Sequence, residues 1–540
     1  MGSLSLATLP SLQPSFTLTA FGDLNSDKNT DLFVLSDKAQ LSSLLFDPKT
    51  KDFTTAIPFI HGLSSVSNVL DVLVMGQTSD NSHDLGMAIV WGGAKDQKLV
   101  LPPASGTAGQ PFVVDFNGTM ETQLLGYPSS APSDLSLWRI QSNRTVSVEK
   151  APLIDKTTNK TMCTFSNPHS NAFIDLNGDC LADMFVTCSQ GKRSFFQVWT
   201  NSRDAGFSLA LEKDLPNDVH GPITFADMDA DGTMDLVFGS CDARGACSVN
   251  IWYNSQIPLS FRQHLCTADN TFNFNLYNDQ WSLKDLLGNT DETMDISSFI
   301  RLIHSTPCTK GLCPKDQVLE HERYFKLMTT GMEALNNMGG IKTGAAFFDL
   351  FEDGVLDILV FTQNDKKTPH ITAFQNNFYS DGFFLKSLVL NGVCPGRCPS
   401  GARFPDPKPY GVNYFGATLK YTITDASGFK RATQLSQLPQ SSYFALNTPY
   451  TLTDNVATFF GVIPNSQLIV VPYESDAGGP SEWKLDLFIN PSSLAPWVFL
   501  ALVSTLVGLT GIVIFLHFLE RKEDQIEKRI NSHNINFDAL

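Results

Sequence analysis

Positive charge is scarce in this chain. Of 540 residues, 38 are Lys or Arg against 55 Asp or Glu, giving a formal net charge of −17 and a pI near 4.9. Nucleic-acid binding needs a clustered cationic face, and no Lys/Arg-rich run occurs before residue 520, so that class is excluded. Helix-favouring runs are also few, whereas Phe is common (40 residues), a balance that points to a β-rich fold. Catalytic signatures are missing. The 10 His show no His-Glu-x-x-His spacing, and neither a Gly-x-Ser-x-Gly elbow nor a phosphate-binding glycine loop is present. The scattered His304, His321, His370 and His517 read as surface or interface residues, and no enzyme is expected. An entry signal is missing too: "MGSLSLATLPSLQPSF" has no basic start and no long apolar run. An ectodomain outside the cytosol would therefore begin after a removed signal or carry a replaced end. Leu6 breaks the myristoylation pattern.

One long apolar run is present. Ala495 to Leu516, "APWVFLALVSTLVGLTGIVIFL", carries no charge and is long enough as a helix to cross a bilayer. Pro496 and Trp497 suit the outer interface, and Arg521, Lys522, Lys528 and Arg529 beyond it predict a cytosolic C-terminus. A single-pass type I protein with its N-terminal ectodomain outside, at the plasma membrane or in the secretory pathway, is expected. Three sequons, at Asn117, Asn143 and Asn159, fit that side. So do the 10 cysteines, all within Cys163 to Cys398, where Cys241/Cys247, Cys308/Cys313 and Cys394/Cys398 form close pairs. In an oxidising compartment these read as local disulfides rather than zinc ligands. The connectivity of Cys163, Cys180, Cys188 and Cys266 stays open.

At 540 residues two or more domains are expected. An acidic frame recurs along the first three quarters: "FGDLNSDKNTDLFVL" from 21, "FIDLNGDCLADMFVT" from 173, "FADMDADGTMDLVFG" from 225 and "FFDLFEDGVLDILVF" from 347. Worn copies lie near Asp71, Asp115 and Leu287, so starts fall near 23, 71, 115, 175, 227, 287 and 349. Most are followed by strand, polar turn and strand, as in "FFQVWTNSRDAGFSLAL" and "VNIWYNSQIPLSFRQH". Seven units of about four strands predict an all-β, seven-bladed β-propeller, a closed ring that removes sheet edges. Residues 277–340 read as a partly helical insertion. Past the Pro/Gly-rich break "CPGRCPSGARFPDPKP", residues 411–489 alternate without acidic loops, which predicts a membrane-proximal β-sandwich.

Chemically, oxygens at loop positions one, three, five and nine, with the carbonyl of position seven, converge as calcium requires. The expected ligands are Asp23, Asn25, Asp27, Asn29 and Asp31; Asp175, Asn177, Asp179, Leu181 and Asp183; Asp227, Asp229, Asp231, Thr233 and Asp235; and Asp349, Asp353, Val355 and Asp357. Gly232 and Gly354 at position six permit a positive φ. Lys28 and Phe351 weaken the first and last loops. Position twelve after Asp227 is Phe238, and the flanks are strands, so this is not an EF-hand. Recurrence in several copies also argues against a single catalytic carboxylate pair.

Residues 223–238, and less fully 344–360, resemble the Phe-Gly/Gly-Ala-Pro (FG-GAP) loops of the integrin α-subunit propeller. The whole layout resembles the T-cell immunomodulatory protein/Linkin family: a degenerate propeller, a C2-like membrane-proximal domain, one transmembrane helix and a short tail. The resemblance implies an FG-GAP propeller over 1–405, a β domain over 406–490, a transmembrane helix over 495–519 and a cytosolic tail over 520–540. It also implies structural Ca2+, binding of a protein ligand outside the membrane, and a role in cell adhesion or cell–cell modulation. The alternative is a secretory-pathway membrane protein that binds glycans or client proteins.

Overall fold

The computed structural model describes residues 4–6 and most of 16–256, 268–282, 300–389 and 417–534. Within and between these spans it leaves out 23–28, 59–69, 75–83, 92–97, 106–110, 115–122, 257–267, 283–299, 308–322, 390–416, 437–458 and 472–483, with shorter stretches and both ends. The chain divides into two units, Met1–Leu487 and Phe488–Leu540.

The larger unit is mostly β. Among the described residues its first part forms seven successive antiparallel sheets, each made almost wholly from one local stretch of chain, and a small hairpin, Phe46–Asp47 with Asp52–Phe53. The first runs from Phe16–Gly22 to Ile57–Pro58, and the second holds Leu70–Val74, Asp84–Trp91 and Lys98–Ser105. The third spans Phe112–Val114 to Val146–Lys150, and the fourth Ala172–Ile174, Asp183–Gln190, Arg193–Ser202 and Gly206–Asp214. The fifth has Val219–Ala226, Asp235–Cys241, Cys247–Trp252 and Asn278–Ser282; the sixth pairs Ile303–Pro307 with Arg323–Leu327. The seventh joins Ile341–Phe348, Asp357–Gln363 and Pro369–Asn376 to the N-terminal strand Leu4–Leu6.

Burial explains the strand sequences. The second strand of the fourth sheet, "DMFVTC" at its start, is buried on both faces, because another sheet packs against each side. The outer strand Gly206–Asp214 alternates between exposed and half-buried positions, as an edge with one solvated face should. Neighbouring sheets share cores. Phe112, Leu124 and Trp138 of the third pack with Phe173, Met184 and Trp199 of the fourth, and Phe185 and Phe196 of the fourth pack with Phe225, Leu236 and Trp252 of the fifth. Leu359, Ile371 and Ala373 of the seventh sheet share a core with Phe16, Leu32 and Leu44 of the first. First and last sheets therefore touch, and Leu4–Leu6, hydrogen-bonded to Phe374–Asn376, ties the start of the chain into the last sheet.

Within 277–340, helix appears among the described residues only as the single turn Glu333–Asn336; Asn278–Ser282, Ile303–Pro307 and Arg323–Leu327 are strands of the fifth and sixth sheets. The β-formers Tyr324 and Phe325 face Thr306 and Ser305 across the ladder, which outweighs the helical look of "RYFKL". The strand Leu385–Val389 pairs in parallel with Ser466–Val471, itself beside Lys484–Ile489. A stretch inside the span 1–405 thus belongs to the sheet that follows. Thr418–Thr424 and Lys430–Ser436 form a separate hairpin.

Most of the second unit is one continuous helix, Ala495–Asn534, running through the apolar stretch and on into the charged segment after it. It is the one helix among the described residues long and apolar enough to cross a membrane, and none of its apolar window is buried. That is the surface expected of a segment solvated by lipid, and it makes the chain a single-pass membrane protein in outline. Glu, Arg and Lys with Asp524/Lys528 spacing favour helix beyond Glu520, so the turns continue past the apolar end.

Candidate functional site

All four acidic frames lie where a sheet turns from its first strand into its second, and the ninth residue opens that second strand: Asp31, Asp183, Asp235 and Asp357. Each of these carboxylates is buried, and Asp183, Asp235 and Asp357 bracket their sheets with both oxygens. One oxygen accepts the backbone N–H at loop position two: Leu176 N to Asp183 (2.9 Å), Met228 N to Asp235 (2.8 Å) and Leu350 N to Asp357 (3.0 Å). The other accepts from the end of the third strand or just past it: Phe46 N to Asp31 (2.8 Å), Asn201 N to Asp183 (3.0 Å), Asn254 N to Asp235 (2.9 Å) and Asn376 N to Asp357 (2.8 Å). The ninth carboxylate therefore satisfies amides that burial would otherwise orphan, a role the sequence reading assigned only to metal.

The Asp227 loop converges on one point. Carboxylate oxygens of Asp227, Asp229 and Asp235 lie within 4.8 Å of one another. Asp227 itself accepts from Asp231 N (3.1 Å) and Gly232 N (3.1 Å), and Gly232 has φ 89°, as position six requires. Asp231 stands outside the trio; its Oδ1 accepts from the Thr233 N–H (2.8 Å) and hydroxyl (2.6 Å). Burial, reinforced by Asp229, holds Asp235 well above the usual carboxylate range, and burial raises Asp227 as well. Three crowded carboxylates, two of which burial holds above the usual range, are the donor set a hard divalent cation would relieve, so the residues present fit calcium.

The Asp175 loop has the same backbone path but a different occupant. Cys180 takes position six with φ 70°, and its N–H donates to Asp175 (2.9 Å) as that of Gly232 does to Asp227. A non-glycine residue holds that conformation here because it is disulfide-bonded and its amide is captured. Asn177 is turned to Asp179, accepting its N–H (2.9 Å) and donating to its Oδ2 (3.1 Å). Burial, with Asp175 and then Asp179, pushes Asp183 well above the carboxylate range. The Lys420 ammonium sits 2.5 Å from Asp175 Oδ2, and the Gln434 amide donates to the Asp175 carbonyl (3.0 Å). The neighbouring Thr433 hydroxyl donates to Asp227 (2.8 Å). All three come from the hairpin Thr418–Thr424/Lys430–Ser436, some 200 residues or more away in sequence from the carboxylates they meet. No local motif marks them, which is why the sequence reading missed them.

Of the other expected ligands, Asp23, Asn25, Asp27 and Asp353 lie outside the described residues, while Asn29, Asp349 and Val355 lie within them, between the first and second strands of the first and seventh sheets. Cys241–Cys247 is bonded across facing positions of the fifth sheet, and Cys163 pairs with Cys188. Cys266, Cys308, Cys313, Cys394 and Cys398 lie outside the described residues. So do Asn117 and Asn143, whereas Asn159 is exposed in a left-handed turn (φ 54°).

Family comparison agrees with this layout. Residues 132–238 match an FG-GAP-like repeat, and residues 409–454 match the ITFG1 C2 domain. The human T-cell immunomodulatory protein is 30% identical over 97% of this chain and 92% of its own length. The chain belongs to the T-cell immunomodulatory protein family. Other members include the Plasmodium falciparum T-cell immunomodulatory protein homolog, 26% identical over 93% of this chain and 85% of its own length. The Caenorhabditis elegans protein linkin is 25% identical over 96% and 95%. The hairpin that reaches the acidic loops, Thr418–Ser436, falls inside the region matching the family's C2 domain.

Proposed function

We propose that this chain is a single-pass, type I membrane glycoprotein whose seven-bladed propeller is a calcium-stiffened scaffold for binding a protein partner outside the cytosol. Its role is cell adhesion or cell–cell modulation rather than catalysis. Family membership over nearly the full chain carries this reading, because the human relative's name speaks of immunomodulation. Seven sheets with first-to-last packing support the closed ring. The propeller then ends between 377 and 384, ahead of the strand that joins the membrane-proximal sheet. Asn159, which is exposed, is open to carry a glycan.

Calcium belongs first at the Asp227 loop, held by Asp227, Asp229 and Asp235, with the Asp23 and Asp349 loops as weaker sites. The ion supplies positive charge between strands and stiffens the rim; partner binding falls to other loops. Thermal unfolding of the detergent-solubilised chain should drop on adding EDTA and recover with excess calcium. Unchanged unfolding in EDTA would sink the structural-calcium reading. Surface biotinylation of intact cells tests the location: labelling restricted to permeabilised cells would favour a secretory-pathway resident instead.

A further inference from the structure

The Asp175 loop does not fit calcium in the conformation it adopts. A metal bound to Asp175 would lie at about 2.3–2.6 Å from a carboxylate oxygen. Lys420 Nζ is already 2.5 Å from that carboxylate, and only 9% of its side chain is exposed. Two like charges at that separation, away from water, repel strongly. The remaining donors are also committed: Asp175 Oδ1 accepts from Gly178 N (2.6 Å), and the Asn177 side chain is folded onto Asp179. The Asp227 loop meets the same hairpin through a neutral hydroxyl, which leaves carboxylate lone pairs for a cation.

We propose that Lys420 is the built-in counter-ion of the Asp175 loop, so that docking of the Thr418–Ser436 hairpin and calcium binding at this loop exclude one another. The membrane-proximal C2 region is thereby fastened to the propeller by three side chains, Lys420, Thr433 and Gln434. Calcium occupancy and fastening are reciprocally linked: whatever pulls the hairpin off opens a calcium site, and calcium at that site weakens the hairpin's hold. The calcium half rests on the metal reading of the other loops; the fastening half does not.

Both halves are readable in the full chain in detergent. Calcium stoichiometry is measured by isothermal titration for the wild type, Lys420→Met, Asp175→Asn and the double variant Asp175→Asn/Lys420→Met. Lys420→Met should gain one equivalent over the wild type, and the double variant should lose it again. An unchanged stoichiometry overturns the proposal, as does loss of an equivalent on making Asp175→Asn alone. Where Lys420→Met does not fold, Lys420→Gln keeps a neutral donor of similar reach and is held to the same outcomes. Hydrogen exchange in EDTA reads the fastening without metal. Amides of 418–424 and 430–436 should exchange at least tenfold faster in the Lys420 variant, and unchanged protection overturns the fastening. If the wild type binds no calcium at any loop, the scaffold reading fails, and the exchange result still decides the role of Lys420.

Discussion

Replacing Asp183 by Ala tests what the ninth carboxylate does apart from any metal. Asp183 is fully buried and accepts three backbone N–H groups: Leu176 (2.9 Å), Asn177 (3.1 Å) and Asn201 (3.0 Å). Truncation leaves all three donors without an acceptor in a site closed to water. Each orphaned donor costs about 1–3 kcal/mol, so the variant should lose roughly 3–9 kcal/mol, a large part of an ordinary domain's stability. Asp179 is a control on the same loop. It is less buried and accepts from Leu181 N (2.8 Å) and the Asn177 side chain (3.1 Å), so Asp179→Ala should lose about 1 kcal/mol. Asp183→Asn keeps one oxygen but turns an NH2 toward donors, so it should fall between the two. The measurement is native-state hydrogen exchange in EDTA, which removes any metal contribution. Protection of the Leu176 and Asn201 amides should fall by about two orders of magnitude or more, since 1.4 kcal/mol corresponds to a factor of ten. Loss of protection no larger than in Asp179→Ala would refute the bracket and leave the ninth carboxylate as a metal ligand alone.

Two further outcomes follow from other parts of the propeller. Burial depresses the Lys213 ammonium to about 8, although it donates to the Phe274 carbonyl (2.6 Å) and lies 3.6 Å over the Trp252 ring. Between about 8 and its ordinary 10.5 the unfolded chain holds a proton that the folded chain has released, so this group makes stability rise with pH across that window. Urea midpoints of the wild type should climb more steeply than those of Lys213→Met from pH 8 to 10.5, and parallel slopes would contradict the shift. The Cys163–Cys188 bridge spans a sequence separation of 25 against 6 for Cys241–Cys247. By loop-closure entropy, removing the first with paired Ser substitutions should cost about 3.5 kcal/mol and the second about 2.4 kcal/mol, and the reverse order in denaturant midpoints would show that closure does not govern.

Much of this architecture was legible because it is local. Each sheet is built from one stretch of chain, so alternation, turn residues and the recurring acidic frame could be counted along the sequence. The spacing of Asp175, Asp227 and Asp349 marked three of the turns between first and second strands, and the apolar run from Ala495 marked the helix. Helix content in 277–340 was harder to read, since short apolar–polar segments such as "RYFKL" fit either period until a partner strand is known. The parallel pairing of Leu385–Val389 with Ser466–Val471 joins stretches far apart in the chain, and no local pattern announces it.

The acidic loops divide along the same line. The sequence by itself determined that carboxylates gather at the strand turns and that position six needs a left-handed residue, since both follow from spacing within nine positions. Only the tertiary structure decided what each loop holds. It set the buried Asp183 and Asp235 against third-strand amides, left the Asp227 loop open to a cation, and filled the Asp175 loop with a lysine from 245 residues away. Spacing in sequence governs which groups can meet locally; a charge arriving from another part of the fold governs which of them already has a counter-ion.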